Sequence, residues 1–222
     1  GAFATCTSSP ISLSALADGN HSYAVRQIDA AGNVGSADTV AWVVDTVAPP
    51  ATTVTRTSPT SSPTSQTTAQ ISFNANEAGG TLECSVDGGT YATCAASPAN
   101  LSGLADGPHS YSVRQVDTAG NTSTVSTVNW TVDTVAPPAP TVSSDRTGTT
   151  NQNTAQITFS ANEAGGALQC SADGGAFADC AASPVNLSSL ADGNHSYAVR
   201  QVDAAGNAGS ATTVVWVVDT LA

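Results

Sequence analysis

The sequence predicts an all-β chain of tandem seven-stranded β-sandwiches joined by short Pro-containing linkers. Three observations carry this. The string LADGNHSYAVRQIDAAGN (Leu16–Asn33) returns as LADGPHSYSVRQVDTAGN (Leu104–Asn121) and again as LADGNHSYAVRQVDAAGN (Leu190–Asn207). Within each repeat, short runs alternate apolar and polar residues, the period of a half-buried strand. Gly, Pro, Asn and Asp break these runs roughly every 8–12 residues, as turns do in a sandwich.

The repeat length defines the organisation. Each copy ends on a strand-like run, VAWVVDT, VNWTVDT or VVWVVDT; Asp45 to Asp133 is 88 residues and Asp133 to Asp219 is 86. A period this long is a whole domain rather than a solenoid turn. The expected units are 1–45, 46–133 and 134–222, with joints reading DTVAPPA and DTVAPPAP. Proline fixes φ and lacks an N–H, so these joints read as short, stiff and extended.

The strands of the third unit follow in order. A first strand is expected near Thr141–Ser143. In AQITFSA (Ala155–Ala161), Ile157, Phe159 and Ala161 share one face and Gln156, Thr158 and Ser160 the other. After the turn NEAGG, the runs ALQCSA and AFADC flank Asp-Gly-Gly and read as a hairpin. VNLSSL and LADGN lead into HSYAVRQVD, where His195, Tyr197 and Val199 share a face. After DAAGN, Val214, Trp216 and Val218 share a face of the last strand, as do Val128, Trp130 and Val132, and Val40, Trp42 and Val44. About seven strands in one unit is the expectation for an immunoglobulin-like β-sandwich. No helical pattern is visible, and AGG and DGG read as turns.

Composition bounds the function. Of 222 residues, 40% are hydrophobic, 5% aromatic and 10% charged, which gives globular domains with lean cores. The basic residues are all arginine, namely Arg26, Arg56, Arg114, Arg146 and Arg200, against 17 Asp and Glu, for a net charge of −12. Such a polyanion repels phosphate, which argues against nucleic-acid binding. No apolar run is long enough for a transmembrane span. No signal-like segment is visible either; in a secreted protein it would lie upstream or have been removed.

The run CSADGGAFADCAASPVNLSSLADGNHSYAVRQVDAAGN…VVWVVDT resembles the bacterial Ig-like repeats of large secreted and cell-surface proteins, relatives of the fibronectin type III sandwich. The resemblance extends over the whole chain and rests on the set of motifs: paired cysteines, LADGxHSY, DxAGN and WxVDTxAPP. It implies architecture (spacers, stalks, adhesins, filaments) rather than one shared chemistry.

The cysteines are Cys6, Cys84, Cys94, Cys170 and Cys180. Cys84 and Cys94 flank one hairpin turn and Cys170 and Cys180 another, so bridges Cys84–Cys94 and Cys170–Cys180 are expected. Buried free thiols are the competing reading, and a metal site has no second ligand pair. Disulfides place the chain in an oxidising setting, extracellular or at the cell surface. Cys6 is unpaired or has its partner outside this segment. GAFATC (Gly1–Cys6) aligns with Gly175–Cys180, so residues 1–45 read as the C-terminal half of a repeat whose first three strands are missing. Half a sandwich exposes its apolar face and strand edges. Either upstream sequence of the same chain or strands of a neighbouring subunit would complete it.

The chain is not expected to be an enzyme. His21, His109 and His195 occupy one equivalent place beside Tyr23, Tyr111 and Tyr197, which marks a structural residue. No nucleophile elbow or carboxylate pair accompanies them, and no cofactor is required. Calcium is the one candidate ion. Because strands alternate direction, the NEAGG and DxAGN loops of one unit face the final VDT and the LADG loop of the unit before. This sets Asp45, with Asp18, against Glu77, Asp117 and Asn121, and Asp133, with Asp106, against Glu163, Asp203 and Asn207. Converging oxygens suit calcium; ordinary turn chemistry of Asp and Asn is the competing reading. The stretch Thr52–Gln70, rich in Ser, Thr and Pro, reads as a polar first strand and loop, with O-linked sugar as its alternative.

The leading function is a structural module of an extracellular repeat protein: a stalk, spacer or filament-forming segment whose partners are neighbouring repeats and identical subunits in a fibre. The alternatives are an adhesin for a sugar or protein ligand and the spacer domains of a secreted hydrolase. Near-identical loops in every unit count against a dedicated binding site.

Overall fold

The computed structural model describes residues 1–6 and 8–221; Ala222, the last residue of the third unit, lies outside them. Among the described residues every regular element is a strand. Residues 1–45 hold β1 (Gly19–Val25) and β2 (Asp38–Val44), paired antiparallel with His21 opposite Trp42.

The middle of the chain carries β3 (Thr53–Ser58), β4 (Ala69–Asn74), β5 (Thr81–Val86), β6 (Ala92–Thr93), β7 (Ala99–Leu101), β8 (Gly107–Val116) and β9 (Ser126–Val132). They form two sheets, ordered β3-β4-β7 and β6-β5-β8-β9. The last part carries β10 (Thr141–Ser144), β11 (Gly148–Thr150), β12 (Ala155–Ser160), β13 (Ala167–Ala172), β14 (Ala178–Asp179), β15 (Val185–Leu187), β16 (Gly193–Val202) and β17 (Thr212–Val218). Its sheets run β10-β12-β15 and β11-β17-β16-β13-β14.

Each pair of sheets encloses its own core. Ile71, Phe73, Tyr111, Val113, Trp130 and Val132 form one; Ile157, Phe159, Tyr197, Val199, Trp216 and Val218 form the other. The alternation places them there. In β12 Ala155, Ile157 and Phe159 are buried while Gln156, Thr158 and Ser160 are exposed, so one sheet face supplies one wall of the sandwich.

The third repeat departs from the seven-strand expectation. It has an eighth strand, β11, running parallel to β17 with Gly148 opposite Trp216. In the second repeat the same place is held by a single parallel bridge, Thr64 to Val132. The Ser/Thr/Pro-rich stretch therefore provides both the first strand, β3, and the edge contact of the opposite sheet. Thr64 is only 2% exposed although Ser62 and Ser65 on either side are exposed.

The two hairpin disulfides are formed, Cys84–Cys94 and Cys170–Cys180, with Cα atoms 5.0 Å apart in each. Cys6 is a free, exposed thiol.

Candidate functional site at the ends of the repeats

The N-terminal end of each repeat is built on the DxAGN loop. The Asp117 carboxylate accepts hydrogen bonds from the Ala119 and Asn121 amides, at 2.9 and 2.8 Å, and from Asn121 Nδ2 at 2.8 Å. Gly120 takes φ 95°, a conformation that costs other residues, and its amide donates to the Asp117 carbonyl. The loop is thus an Asx-type turn. Asn121 and the loop amides hold the Asp117 carboxyl below its ordinary range. Burial opposes the charge of Asp203, but Asn207 and the same amides outweigh it and lower that group too. Asp29 is lowered in the same way by Asn33.

The second hydrogen of the asparagine amide reaches across the joint. Asn121 Nδ2 donates to the Asp45 carbonyl at 3.0 Å, and Asn207 Nδ2 donates to the Asp133 carbonyl at 2.7 Å. At the second joint Ser65 N also donates to the Ala205 carbonyl at 3.2 Å. The linker carboxylates are occupied by nearby donors. Asp45 and Asp133 each accept from the amide two residues on, Val47 and Val135, at 3.1 Å. Asp18 accepts from the Thr46 amide at 3.0 Å and its hydroxyl at 2.9 Å; Asp106 does the same for Thr134, at 2.8 and 3.1 Å.

Glu77 and Glu163 enter through their backbones. Gln115 is fully buried; its Oε1 accepts from the Asn76 and Glu77 amides and its Nε2 donates to the Glu77 carbonyl. Gln201 holds Glu163 identically. This buried glutamine fastens the NEAGG turn to the central strand, and its carboxamide matches the turn's donor and acceptor. Among the described residues, no three His, Cys, Asp or Glu side chains gather as a metal site would need. The structure brings Asp45 to Asn121 and Asp133 to Asn207, and uses the two glutamates through their peptide groups.

The C-terminal end carries a pair that the sequence reading passed over. Asp87, in the left-handed conformation at φ 50° in the D-G-G turn, accepts from the Ser110 amide at 2.7 Å and contacts His109 Nδ1 at 2.9 Å. His109 Nε2 lies 2.8 Å from the Ala105 carbonyl, and the ring stacks on Trp130 with centroids 5.7 Å apart. Asp173, Ser196, His195, Ala191 and Trp216 repeat this at nearly the same distances. Two ring nitrogens facing two acceptors favour imidazolium. The Ala105 carbonyl, then Asp87, raises His109, and Ala191 and Asp173 raise His195. The Ser196 amide, with His195, lowers Asp173; for Asp87 burial opposes the charge, and Ser110 and His109 outweigh it. The usable signal was spacing, because aspartate and histidine stand 22 residues apart in both repeats. With both nitrogens engaged, the ring is a structural clasp and is not poised for proton transfer.

A second missed feature is an arginine stacked on an aromatic ring. Arg26 lies over Phe3, Arg114 over Tyr91 and Arg200 over Phe177, at 3.9, 4.1 and 4.3 Å from the ring centre. The constant aromatic third residue of GAFATC, GTYATC and GAFADC was its signature.

Residues 52–134 match the family model described as bacterial Ig-like domain. No curated protein matches. Among solved structures, the chain is similar to the fibronectin(III)-like modules of CbhA from Clostridium thermocellum, at 19% identity over 75% of this chain and 94% of that one, with a TM-score of 0.45. It is also similar to murine CEACAM1b, at 11% identity over 76% and 98%, TM-score 0.42. A third is the mouse coronavirus receptor-binding domain complexed with its murine receptor, at 10% identity over 77% and 100%, TM-score 0.47. The matched residues hold the β3–β9 unit, and the β10–β17 unit repeats its hairpin disulfide and its central core residues.

Proposed function

We propose that the chain is a structural module of an extracellular repeat protein, divided as 1–45, 46–133 and 134–222, that gives length and stiffness to a stalk, spacer or filament. The observation that carries this reading is the repeated joint clasp. The same asparagine of the same loop grips the carbonyl of the aspartate just after the last strand at both joints, Asn121 to Asp45 and Asn207 to Asp133. A contact repeated between successive units serves a spacer, where every joint has the same task. Two hairpin disulfides support an oxidising, extracellular setting. His109 and His195 and the aspartates of the turns and joints are engaged in clasps and turns, which supports a non-catalytic role. For the joint carboxylates, the donors already on Asp45, Asp117, Asp133 and Asp203 support turn chemistry over calcium.

Small-angle X-ray scattering tests the proposal. A stiff spacer gives an extended particle whose dimensions stay fixed with ionic strength, and Asn207→Ala broadens its distance distribution. A compact particle, or one unchanged by Asn207→Ala, counts against it.

A further inference from the structure

The histidine clasp and the joint are one connected structure. His109 Nδ1 meets Asp87 of the D-G-G turn and Nε2 meets the Ala105 carbonyl, at 2.9 and 2.8 Å. The residue after Ala105 is Asp106, whose carboxylate accepts from the amide and hydroxyl of Thr134 at 2.8 and 3.1 Å. Thr134 follows Asp133, and the Asp133 carbonyl accepts from Asn207 of the next repeat at 2.7 Å. From the ring to the next repeat, every step is a hydrogen bond or one residue of chain. The same links recur along the chain. His21 meets the Ala17 carbonyl, Asp18 holds Thr46, and the Asp45 carbonyl accepts from Asn121. His195 meets the Ala191 carbonyl, and Asp192 holds Thr220.

The two contacts of the ring set a condition on its charge. A carbonyl oxygen and a carboxylate oxygen are both acceptors, so both ring nitrogens must carry a hydrogen for both contacts to bind. Neutral imidazole has one N–H, and its bare nitrogen then faces an acceptor lone pair. Loss of one proton therefore releases either the D-G-G turn or the LADG loop. The charged groups about His109 come from three elements. Asp87 stands on the turn, and Asp106 stands on the loop with its oxygens on Thr134. Arg56 of β3 lies 5.7 Å from the centre of the Trp130 ring on which the histidine stacks, and its guanidinium donates to the Thr60 and Ser61 carbonyls. Arg56 keeps its charge throughout, so the histidine is the group that changes charge between about pH 5 and 8. The Ala105 carbonyl and Asp87 favour the charged ring and burial opposes it, with the net effect of raising His109. Its side chain is 10% exposed, which leaves a path for exchange of the proton with water.

We propose that His109 is a pH-sensitive lock on the joint between the second and third repeats: with both nitrogens protonated it ties the D-G-G turn to the LADG loop and steadies Asp106 against Thr134, and with one proton lost it lets that loop, and the linker it holds, move. This rests on the spacer reading, which it extends from a stiff joint to one whose stiffness is set by pH. An array of such joints is stiff in mild acid and pliant in mild alkali.

Residual dipolar couplings on the intact 222-residue chain test the lock, because two repeats held rigidly share one alignment and two that move do not. At about pH 5 the second and third repeats are expected to share one alignment, and at about pH 9 to show two, with a midpoint that coincides with titration of the His109 ring. Asp87→Asn removes a charge facing that ring and is expected to lower the midpoint by about one pH unit. Asp173→Asn makes the same change at His195, beyond this joint, and is expected to leave the midpoint in place. His109→Gln is expected to give two alignments at both pH values, and Asp87→Asn decides the matter if that variant does not fold. One shared alignment at both pH values overturns the lock and leaves the stiff spacer standing. Two alignments at both overturn the spacer reading and the lock with it. A midpoint that follows Asp173→Asn, or that ignores Asp87→Asn, also overturns the proposal.

Discussion

Val25 and Val199 sit in nearly identical strings, HSYAVRQID and HSYAVRQVD, yet one is 49% exposed and the other fully buried. The strand, its antiparallel partner and the histidine–tryptophan stack are common to both repeats. Only the strands that cover the face differ. The comparison teaches that pairing of the last two strands is local and is set by sequence alone, whereas burial, strand length and the glutamine staple come from the other half of the sandwich. Two strands hold their register without the rest, but little apolar area leaves water.

Core substitutions separate the two regions most strongly. Ile157→Ala is expected to destabilise the third repeat by ~2–5 kcal/mol, since it empties a fully buried site. Ile11→Ala is expected to change stability by less than ~0.5 kcal/mol, because Ile11 already faces solvent. Denaturant titration of both variants checks this, and a large loss for Ile11→Ala would show that the first repeat has a core of its own. Cysteines come next. Replacing Cys170 and Cys180 together by Ser is expected to cost ~2–3 kcal/mol, the loop-closure value for a short loop. Cys6→Ser is expected to leave the melting midpoint unchanged, as befits a thiol with no bridge.

The pH dependence is smaller and again distinguishes the repeats. His195 is raised in the folded state, so its contribution is complete below the unfolded value near ~6.5 and fades as pH rises through the folded one. Asp173 is lowered, so its contribution is complete above ~3.9 and is lost as pH falls through the folded value. The pair therefore supports the fold best between roughly pH 4 and 6.5. With the Asp173 side chain 50% exposed, the effect is discounted to a few tenths of a kcal/mol. Asp173→Asn should flatten the melting-temperature profile above pH 6; a profile unchanged by that substitution would remove the clasp from the account. The first repeat has the histidine and the stack, and Asp18→Asn there should leave this slope alone, since Asp18 bonds Thr46. Least of all is expected from a chelator. EDTA should shift neither transition, because the joint carboxylates are held by amides and hydroxyls; a melting midpoint raised by added calcium would establish the competing reading.

Most of the strand plan was legible because alternation in short runs such as Ala155–Ser160 leaves one face to bury. The hairpin disulfides were legible because the D-G-G turn fixes which cysteines oppose each other. β11 was not: Gly148–Thr150 neither alternates nor carries an apolar residue, and it becomes a strand only by lying along β17. Gln201 was equally hidden. It follows His195, Tyr197 and Val199 on the same face, yet a glutamine belongs inside only where a turn backbone supplies both an acceptor and a donor. The His–Asp clasp joins a turn to a strand residue 22 positions later, a distance that pattern reading along one strand does not span.

The central claim is that burial of the central strand depends on the covering strands, which residues 46–222 supply twice and β1 of this 222-residue chain lacks, and hydrogen exchange on that chain tests it directly. One sample reports all three copies of the central strand. The account predicts that amides of Tyr111–Val113 and Tyr197–Val199 exchange slowly and close together, while those of Tyr23–Val25 exchange on the order of 100-fold faster or more. Equal protection of all three copies would contradict it, since it would mean that the first repeat is already closed.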